Sequence, residues 1–493
     1  MIDEDFSDFM PPDSFSGPEV DPDDFPYFPV AAEPPEQDES NPPPLSMEGI
    51  DLLTPPGFAG DVTRWIDSQC IYPRRRLAVA SALVTIGNCG GLRHVDTFGR
   101  ATANMIAFCV AASSTGKEAV MQATSKLHRA AGTHYAMQGG IKSEQEIMRN
   151  LIEHQAAYYV VDEIGILLTK IRNAQKRGGA AYLEGIFGTV MSAYSKANSF
   201  MPLNGDTRRE LRKEFMNRLS AARNNDDDES AAMAERMLRM VDEGLERPFL
   251  SLIGFTTPGT FDSVMDGETA TQGFIGRALL VTEQDLNPRA RDNVVQTDVP
   301  SGMAMRLSAM VTGGTAEPYA FRGRLEHAGP LDPIETDDDA QAAMIACREW
   351  FLDYADFHAD RTGEASIAMI RRSYELMSKI SFVLAMGDGR RTLDHVRWAY
   401  AYVRHEVDMK IALVYANDNA RQKPDAALGA RLRGYMDPVT GTTTAVLANR
   451  THRSVEEVER VLGMMLEMGS VTKGPGKYRK KGKPTEVWRP VAE

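Results

Sequence analysis

Met105-Ile106-Ala107-Phe108-Cys109-Val110-Ala111-Ala112-Ser113-Ser114-Thr115-Gly116-Lys117-Glu118 is the stretch on which the reading of this chain turns. Its first six residues are an unbroken apolar run, the pattern of a parallel strand buried on both faces. A loop of small residues follows, then Gly-Lys, then a helical pattern with Val120, Thr124, Leu127 and Ala131 on one face. Strand, small-residue loop, Gly-Lys and helix together make a phosphate cradle. The backbone N–H groups of Ser113, Ser114, Thr115 and Gly116, with the helix N-terminus, would surround a nucleotide's phosphates, and Lys117 would reach the β/γ oxygens. Two positions depart from the usual pattern. Ala111 stands where a first glycine is common, and Glu118 stands where a Ser or Thr ligates Mg²⁺. Glu118 can ligate the metal itself or through water; alternatively the site binds nucleotide without fast turnover.

A second motif lies further on. Ser143-x-x-Glu146 is a capping box that opens a helix. Ala156-Ala157-Tyr158-Tyr159-Val160-Val161 is another buried strand and ends in Asp162-Glu163. In that position Asp162 would hold the magnesium shell, and Glu163 would orient or deprotonate an attacking water. Neither motif is specific alone; their order and spacing are. A third strand, 249–255, ends in Thr256-Thr257-Pro258. Thr256 is either a sensor of the terminal phosphate or part of a turn before proline. In Gly273-Phe274-Ile275-Gly276-Arg277, Arg277 stands where a loop meets the next strand. It is either an arginine finger for a neighbouring subunit's ATP site or a surface ion pair.

Strands alternating with helical patterns from about 104 to 284 predict an α/β fold with a parallel sheet. We place this core at 101–335, interrupted by a charged insert at 204–246 that reads as two helices around Asn224-Asn225-Asp226-Asp227-Asp228. A helical region precedes it at 46–100. Another follows at 336–420, with periodic runs at 343–354, 367–386 and 393–414. A polar linker near 417–425 leads to a small domain at 428–493.

Composition bounds the rest. With 493 residues, 43% of them apolar, the chain is long enough for several domains and a large core. It contains no run of about 20 apolar residues, so no membrane span is expected. Its acidic start lacks the apolar stretch of a secretory signal. Cys70, Cys89, Cys109 and Cys347 form no CxxC pair, which argues against a zinc site or disulfide framework and for a reducing cytoplasm. The net charge is −14, but residues 1–45 hold 13 Asp/Glu and no Lys or Arg, so the remainder carries only −1. Basic patches on that remainder can attract phosphates. The 1–45 segment reads as a disordered tail rich in acid and proline. Aromatics such as Phe6, Phe9, Phe25 and Phe28 suit it to docking as well as to solubility.

Two basic segments follow the phosphate motifs. Lys170, Arg172, Lys176 and Arg177, before Gly178-Gly179, are placed to track a nucleic-acid backbone. The insert adds Arg208, Arg209, Arg212, Lys213 and Arg218. Solvated helix faces account for both equally well. At the C-terminus, residues 443–449 give a short helix and Ser454-x-x-Glu457 caps a second, which Gly469 ends. A β-ribbon with a basic tip follows, including Lys473, Lys477, Arg479, Lys480, Lys481 and Lys483. This unit resembles a winged helix, whose wing would contact phosphates and dock the helix in duplex DNA. Winged helices also serve as protein-interaction modules.

Over residues 52–415 the chain resembles the P-loop ATPases of phages, plasmids and other mobile elements, the replicative helicase-like proteins and the helicase halves of primase-helicases. The resemblance is carried by Pro55-Pro56-Gly57, residues 113–117, 159–165, 248–258 and 273–280, and Leu393-Asp394-His395-Val396-Arg397-Trp398-Ala399-Tyr400. It implies a RecA-like core, ATP and Mg²⁺ as cofactors, and an oligomeric ring, a hexamer, moving on single-stranded DNA. The helical region after the core is also similar to an AAA+ lid. No primase signature is visible.

Overall fold

The computed structural model describes residues 41–177, 181–262, 274–283, 285, 288–292, 294–315, 317–319, 331–422, 424–451, 453–480 and 483–491. The chain enters through two helices, α1 (Gly57–Ser68) and α2 (Arg75–Gly90), and a short strand β1 (His94–Asp96). The phosphate-loop strand β2 (Ile106–Val110) leads into α3 (Lys117–Ala131). After β3 (Met137–Gln138) and α4 (Glu144–His154) comes the carboxylate strand β4 (Ala156–Val161). Next are α5 (Ile164–Arg177), α6 (Ala181–Ser195) and β5 (Phe200–Met201). The insert is a helical hairpin, α7 (Gly205–Asn224) and α8 (Asp228–Glu243), closed by β6 (Leu245–Glu246), which pairs with β5. The chain returns through β7 (Phe249–Thr256), α9 (Pro258–Asp262), α10 (Phe274–Arg277) and β8 (Ala278–Thr282).

The expected parallel sheet is present. Five strands run parallel in the order β3-β4-β7-β2-β8. Every residue of β2, β4, β7 and β8 is buried, which is why their sequences are dominated by apolar residues. Strand β7 lies between the phosphate-loop strand and the carboxylate strand. Its Gly254 lets α5 pack close, because a Cβ there would fall 2.6 Å from Ile164 Cγ2.

After α11 (Ser301–Thr312) and β9 (Asp332–Thr336) come α12 (Asp338–Asp388), β10 (Arg390–Arg391) and α13 (Leu393–Gln422). Helix α12 is continuous where the apolar periodicity pauses between 354 and 367. Propagating an existing helix across weak formers costs far less than nucleating a new one. Strands β1, β9 and β10, absent from the sequence reading, form a small parallel sheet in the order β1-β9-β10. Its Arg391 is buried against Asp96 at 3.0 Å. Helix α13 also closes the outer edge of β8. Glu406 accepts the Leu280 N–H at 2.7 Å, and Lys410 donates to the Ala278 carbonyl at 2.6 Å. Polar atoms of an edge strand are thereby satisfied by side chains rather than by another strand. One contiguous apolar core runs from Phe58 to Ile411.

The polar linker expected near 417–425 is largely helical. Helix α13 extends to Gln422, and α14 (Pro424–Gly434) begins on a proline, which the first helical position tolerates. Helix α14 packs with α15 (Thr444–Thr451), α16 (Val455–Glu467) and the antiparallel pair β11 (Val471–Lys480) and β12 (Lys483–Pro490). These share a separate core that includes Leu432, Leu447, Val461, Leu462 and Trp488. Ser454 caps α16 by accepting the Glu457 N–H, and Gly469 just beyond it has φ +71°. Among the described residues no helix is long and apolar enough to cross a membrane.

Candidate nucleotide site

The two motifs meet at one edge of the sheet. Val110 pairs with Thr256 and Val161 pairs with Gly254, so the loop after β2, the end of β7 and Asp162-Glu163 share the C-terminal edge. Ligands of open α/β sheets bind outside this edge.

The loop is shaped for an anion. Ala111 N–H donates to the Thr256 carbonyl at 3.1 Å, which extends the ladder one residue past β2. Ala111 is not among the residues with positive φ, so the first departure from the usual glycine costs nothing. Ser114 (φ 60°) and Gly116 (φ 97°) are left-handed and turn the chain back into α3. Thr115 Oγ1 braces the turn by donating to the Ala112 carbonyl at 2.6 Å. Ser113 and Ser114 are exposed. Gly116 is the N-cap of α3 and supplies no side-chain cap, so no side-chain acceptor claims the first-turn N–H groups.

Lys117 is buried, and its Nζ has no hydrogen-bond partner among the described residues. Its nearest counter-charge is Glu163 Oε1, at 3.5 Å. The Thr256 hydroxyl is likewise buried and unpartnered. Leaving such groups unmatched is costly, and an oligophosphate would supply the missing acceptors. The carboxylate side is held tightly. Glu163 is left-handed at φ 51°, and its N–H donates to Asp162 Oδ1 at 2.9 Å. Gly165 must be glycine, since a Cβ there would lie 2.5 Å from Thr256 Oγ1.

The two carboxylates expected to serve a metal are both exposed. Asp162 is exposed at the strand tip. Glu118 is turned along α3, and its carboxylate accepts from Gln122 Nε2 at 3.1 Å. This i,i+4 pair, with the favourable field of the helix N-terminus, explains why it stays there. To ligate a metal, as the sequence predicts, Glu118 would have to leave Gln122. Among the described residues no three His, Cys, Asp or Glu side chains are grouped to hold a metal.

Arg277 is elsewhere. It precedes Ala278, whose register partner is Ile106, so it sits at the N-terminal edge of the sheet. About five residues of strand, roughly 16 Å, separate it from the phosphate loop of its own chain. It lies beside Arg372, whose pKa is lowered by burial and then by the Arg277 charge.

Arg74 was not singled out from sequence. It is fully buried, its Nε donates to the Thr115 carbonyl, and its Nη1 donates to the Asp285 carbonyl at 3.0 Å. A signal existed: Arg74-Arg75-Arg76 stands at the start of α2, where the helix dipole disfavours cations. Next to it, Tyr72 covers Gly116, with Tyr72 Cβ 3.3 Å from where a Cβ on Gly116 would be.

The basic segments fare unevenly. Lys170 is exposed on α5; of Arg172, Lys176 and Arg177 only the helical backbone is described, and Gly178-Gly179 lie outside the described residues. The insert's arginines are largely spent on ion pairs: Arg212 with Asp242 at 2.7 Å, Arg209 with Asp206 at 3.3 Å, and Arg218 with Glu153 at 2.5 Å and Glu214 at 2.7 Å. Lys477, Arg479 and Lys480 are described only as backbone of β11, and Lys481 lies outside the described residues. The exposed side of α16 carries Glu456, Glu459 and Glu467 beside Met464, Leu466 and Met468. Its Arg460 is tied to Asp425 at 2.6 Å. An acidic, apolar face disfavours phosphate contact on that side of the helix. The chain matches no protein-family model and no curated protein.

Proposed function

We propose that this chain is a P-loop ATPase with a RecA-like core and a C-terminal winged helix. In this reading it is an ATP-dependent DNA helicase or translocase of phage or mobile-element replication, acting as a ring, a hexamer, on single-stranded DNA. The observation that carries the ATPase reading is the buried Lys117 ammonium, 3.5 Å from Glu163 and without a hydrogen-bond partner among the described residues. Lys117 would bind the β/γ oxygens, Thr256 would sense the terminal phosphate, and Glu163 would orient the attacking water. Magnesium, when bound, would neutralise phosphate charge, with Asp162 holding its water shell. DNA contact is assigned to the α5 segment from Lys170 to Arg177 and to the ribbon tip.

A second reading is favoured by the position of Glu118. With no hydroxyl at the usual metal-ligand position and its carboxylate bonded to Gln122, the site suits slow turnover. ATP would then switch assembly of a replication initiator or helicase loader. A strand-displacement and phosphate-release assay with the wild type, Lys117→Ala and Glu163→Gln separates the two. A helicase unwinds DNA with ATP, loses this in both variants, and retains ATP binding in Glu163→Gln. ATP binding without unwinding in the wild type selects the switch. No ATP binding in the wild type overturns both.

A further inference from the structure

The loop between α1 and α2 carries one buried cation that none of the roles above uses. Arg74 has no exposed surface, yet it lies directly behind the phosphate loop. Its own backbone is anchored, because its N–H donates to Asp67 Oδ1 at 3.0 Å. Its guanidinium bridges two carbonyls from separate parts of the chain, those of Thr115 and Asp285. The remaining nitrogen, Nη2, is buried with no hydrogen-bond partner among the described residues.

We infer that Arg74 is a positioning residue that orients the phosphate loop for its anion. The inference rests on the proposal that the loop binds an oligophosphate. A trans peptide unit is planar, and its C=O and N–H point in opposite directions. No cis peptide is present among the described residues, so the rule applies to the Thr115-Gly116 unit. Arg74 holds the carbonyl of that unit from the buried side. The N–H of the same unit belongs to Gly116 and is therefore turned to the open side, where Ser113 and Ser114 are exposed. Free rotation of this peptide would instead present the carbonyl oxygen to the phosphates, a repulsive contact. Arg74 thus selects the donor-outward state before any ligand arrives, which is preorganisation in the strict sense.

The guanidinium suits this task and an ammonium does not. Arginine presents donors in a fixed planar fork that spans two acceptors, whereas lysine offers a point charge on a flexible stem.

The test uses the full chain and compares wild type with Arg74→Lys, and with Arg75→Lys as an exposed neighbouring control. Amide hydrogen exchange of residues 112–118 is read without ligand, and affinity is measured for ATP and for inorganic tripolyphosphate. Arg74→Lys is expected to speed exchange in this loop alone and to weaken both ligands by about tenfold or more. Arg75→Lys is expected to change neither. Unchanged loop exchange in Arg74→Lys, or acceleration spread over the whole chain, overturns the inference. Should Arg74→Lys fail to fold, the wild type decides: bound tripolyphosphate must slow exchange at the Gly116 amide, and an unchanged amide overturns it. If the wild type binds neither ATP nor tripolyphosphate, the oligophosphate proposal falls, while ligand-free exchange still shows whether Arg74 orders the loop.

Discussion

In the proposed ATPase, Glu118 bears on how fast the site can work. It stands on the first turn of α3 next to Lys117, where a hydroxyl would reach a metal ion, but its carboxylate is engaged with Gln122 one turn further on. A threonine at this position would restore the missing ligand and remove a negative charge from beside the phosphates. Glu118→Thr is therefore expected to raise the rate of ATP hydrolysis several-fold, measured as steady-state phosphate release over a magnesium titration. An unchanged or lower rate would show that turnover is limited elsewhere. Lys117 and Glu163 are close enough to hold each other in place until a phosphate competes for the ammonium. The adjacent Gly165 illustrates how tightly this corner is built, since even a methyl group would collide with Thr256 and Thr260.

At the scale of the elements, the first helix depends on the end of a distant one. Proline precedes α1 and provides no side-chain cap. The cap comes from Asp388 at the end of α12, whose Oδ1 accepts the Phe58 N–H at 3.0 Å. Burial alone would raise the pKa of Asp388. Hydrogen bonds from His395 and the Phe58 N–H, with the charges of His395 and Arg306, outweigh it and hold the carboxyl below its ordinary value of 3.8. A depressed folded pKa gives stability that is complete above the unfolded value and is lost as pH falls through the folded one. Asp388→Ala is expected to cost about 1 kcal/mol near neutral pH, the usual worth of a helix cap. The gap between wild type and variant should close below about pH 4, in the range where carboxylates titrate. Denaturant unfolding at a series of pH values measures both. A gap that persists into acid would place the contribution of Asp388 in packing instead of charge.

For the whole molecule, the position of Arg277 carries the clearest consequence. The proposed nucleotide-site motifs occupy one edge of the sheet and Arg277 the other, too far for it to serve that site in its own chain. If it acts on ATP, it acts in another copy. Arg277→Ala is expected to keep ATP affinity while lowering hydrolysis by about 10³-fold, the usual worth of an arginine finger. Added Lys117→Ala protein, which retains its own Arg277, should restore part of the lost activity in mixed assemblies. No recovery on mixing would remove Arg277 from any shared site. The separate C-terminal core adds a second constraint. The outer face of α16 is acidic and apolar, so if this unit contacts DNA, that side of the helix is poorly suited to it.

Much of this was legible in the residues themselves. Continuous apolar runs at 105–110 and 156–161 identify strands buried on both faces, because no half-exposed strand would tolerate them. Gly116-Lys117 and Asp162-Glu163 mark strand ends, and the caps at Ser143 and Ser454 locate helix starts, because backbone geometry and capping are local properties. Local properties do not reveal partners. That Glu118 turns toward Gln122, that α12 runs unbroken through 355–366, and that β1, β9 and β10 meet in a small sheet depend on packing between distant segments. The insert's arginines read as a basic patch until the carboxylates facing them are known. Arg74 is the extreme case. Sequence shows only one arginine of three at a helix start, whereas burial behind the loop, a bond to the Thr115 carbonyl and a tie to Asp285 exist only once the chain has folded. Period and turn chemistry are written residue by residue; the pairing of a buried charge is decided by which surfaces the fold brings together.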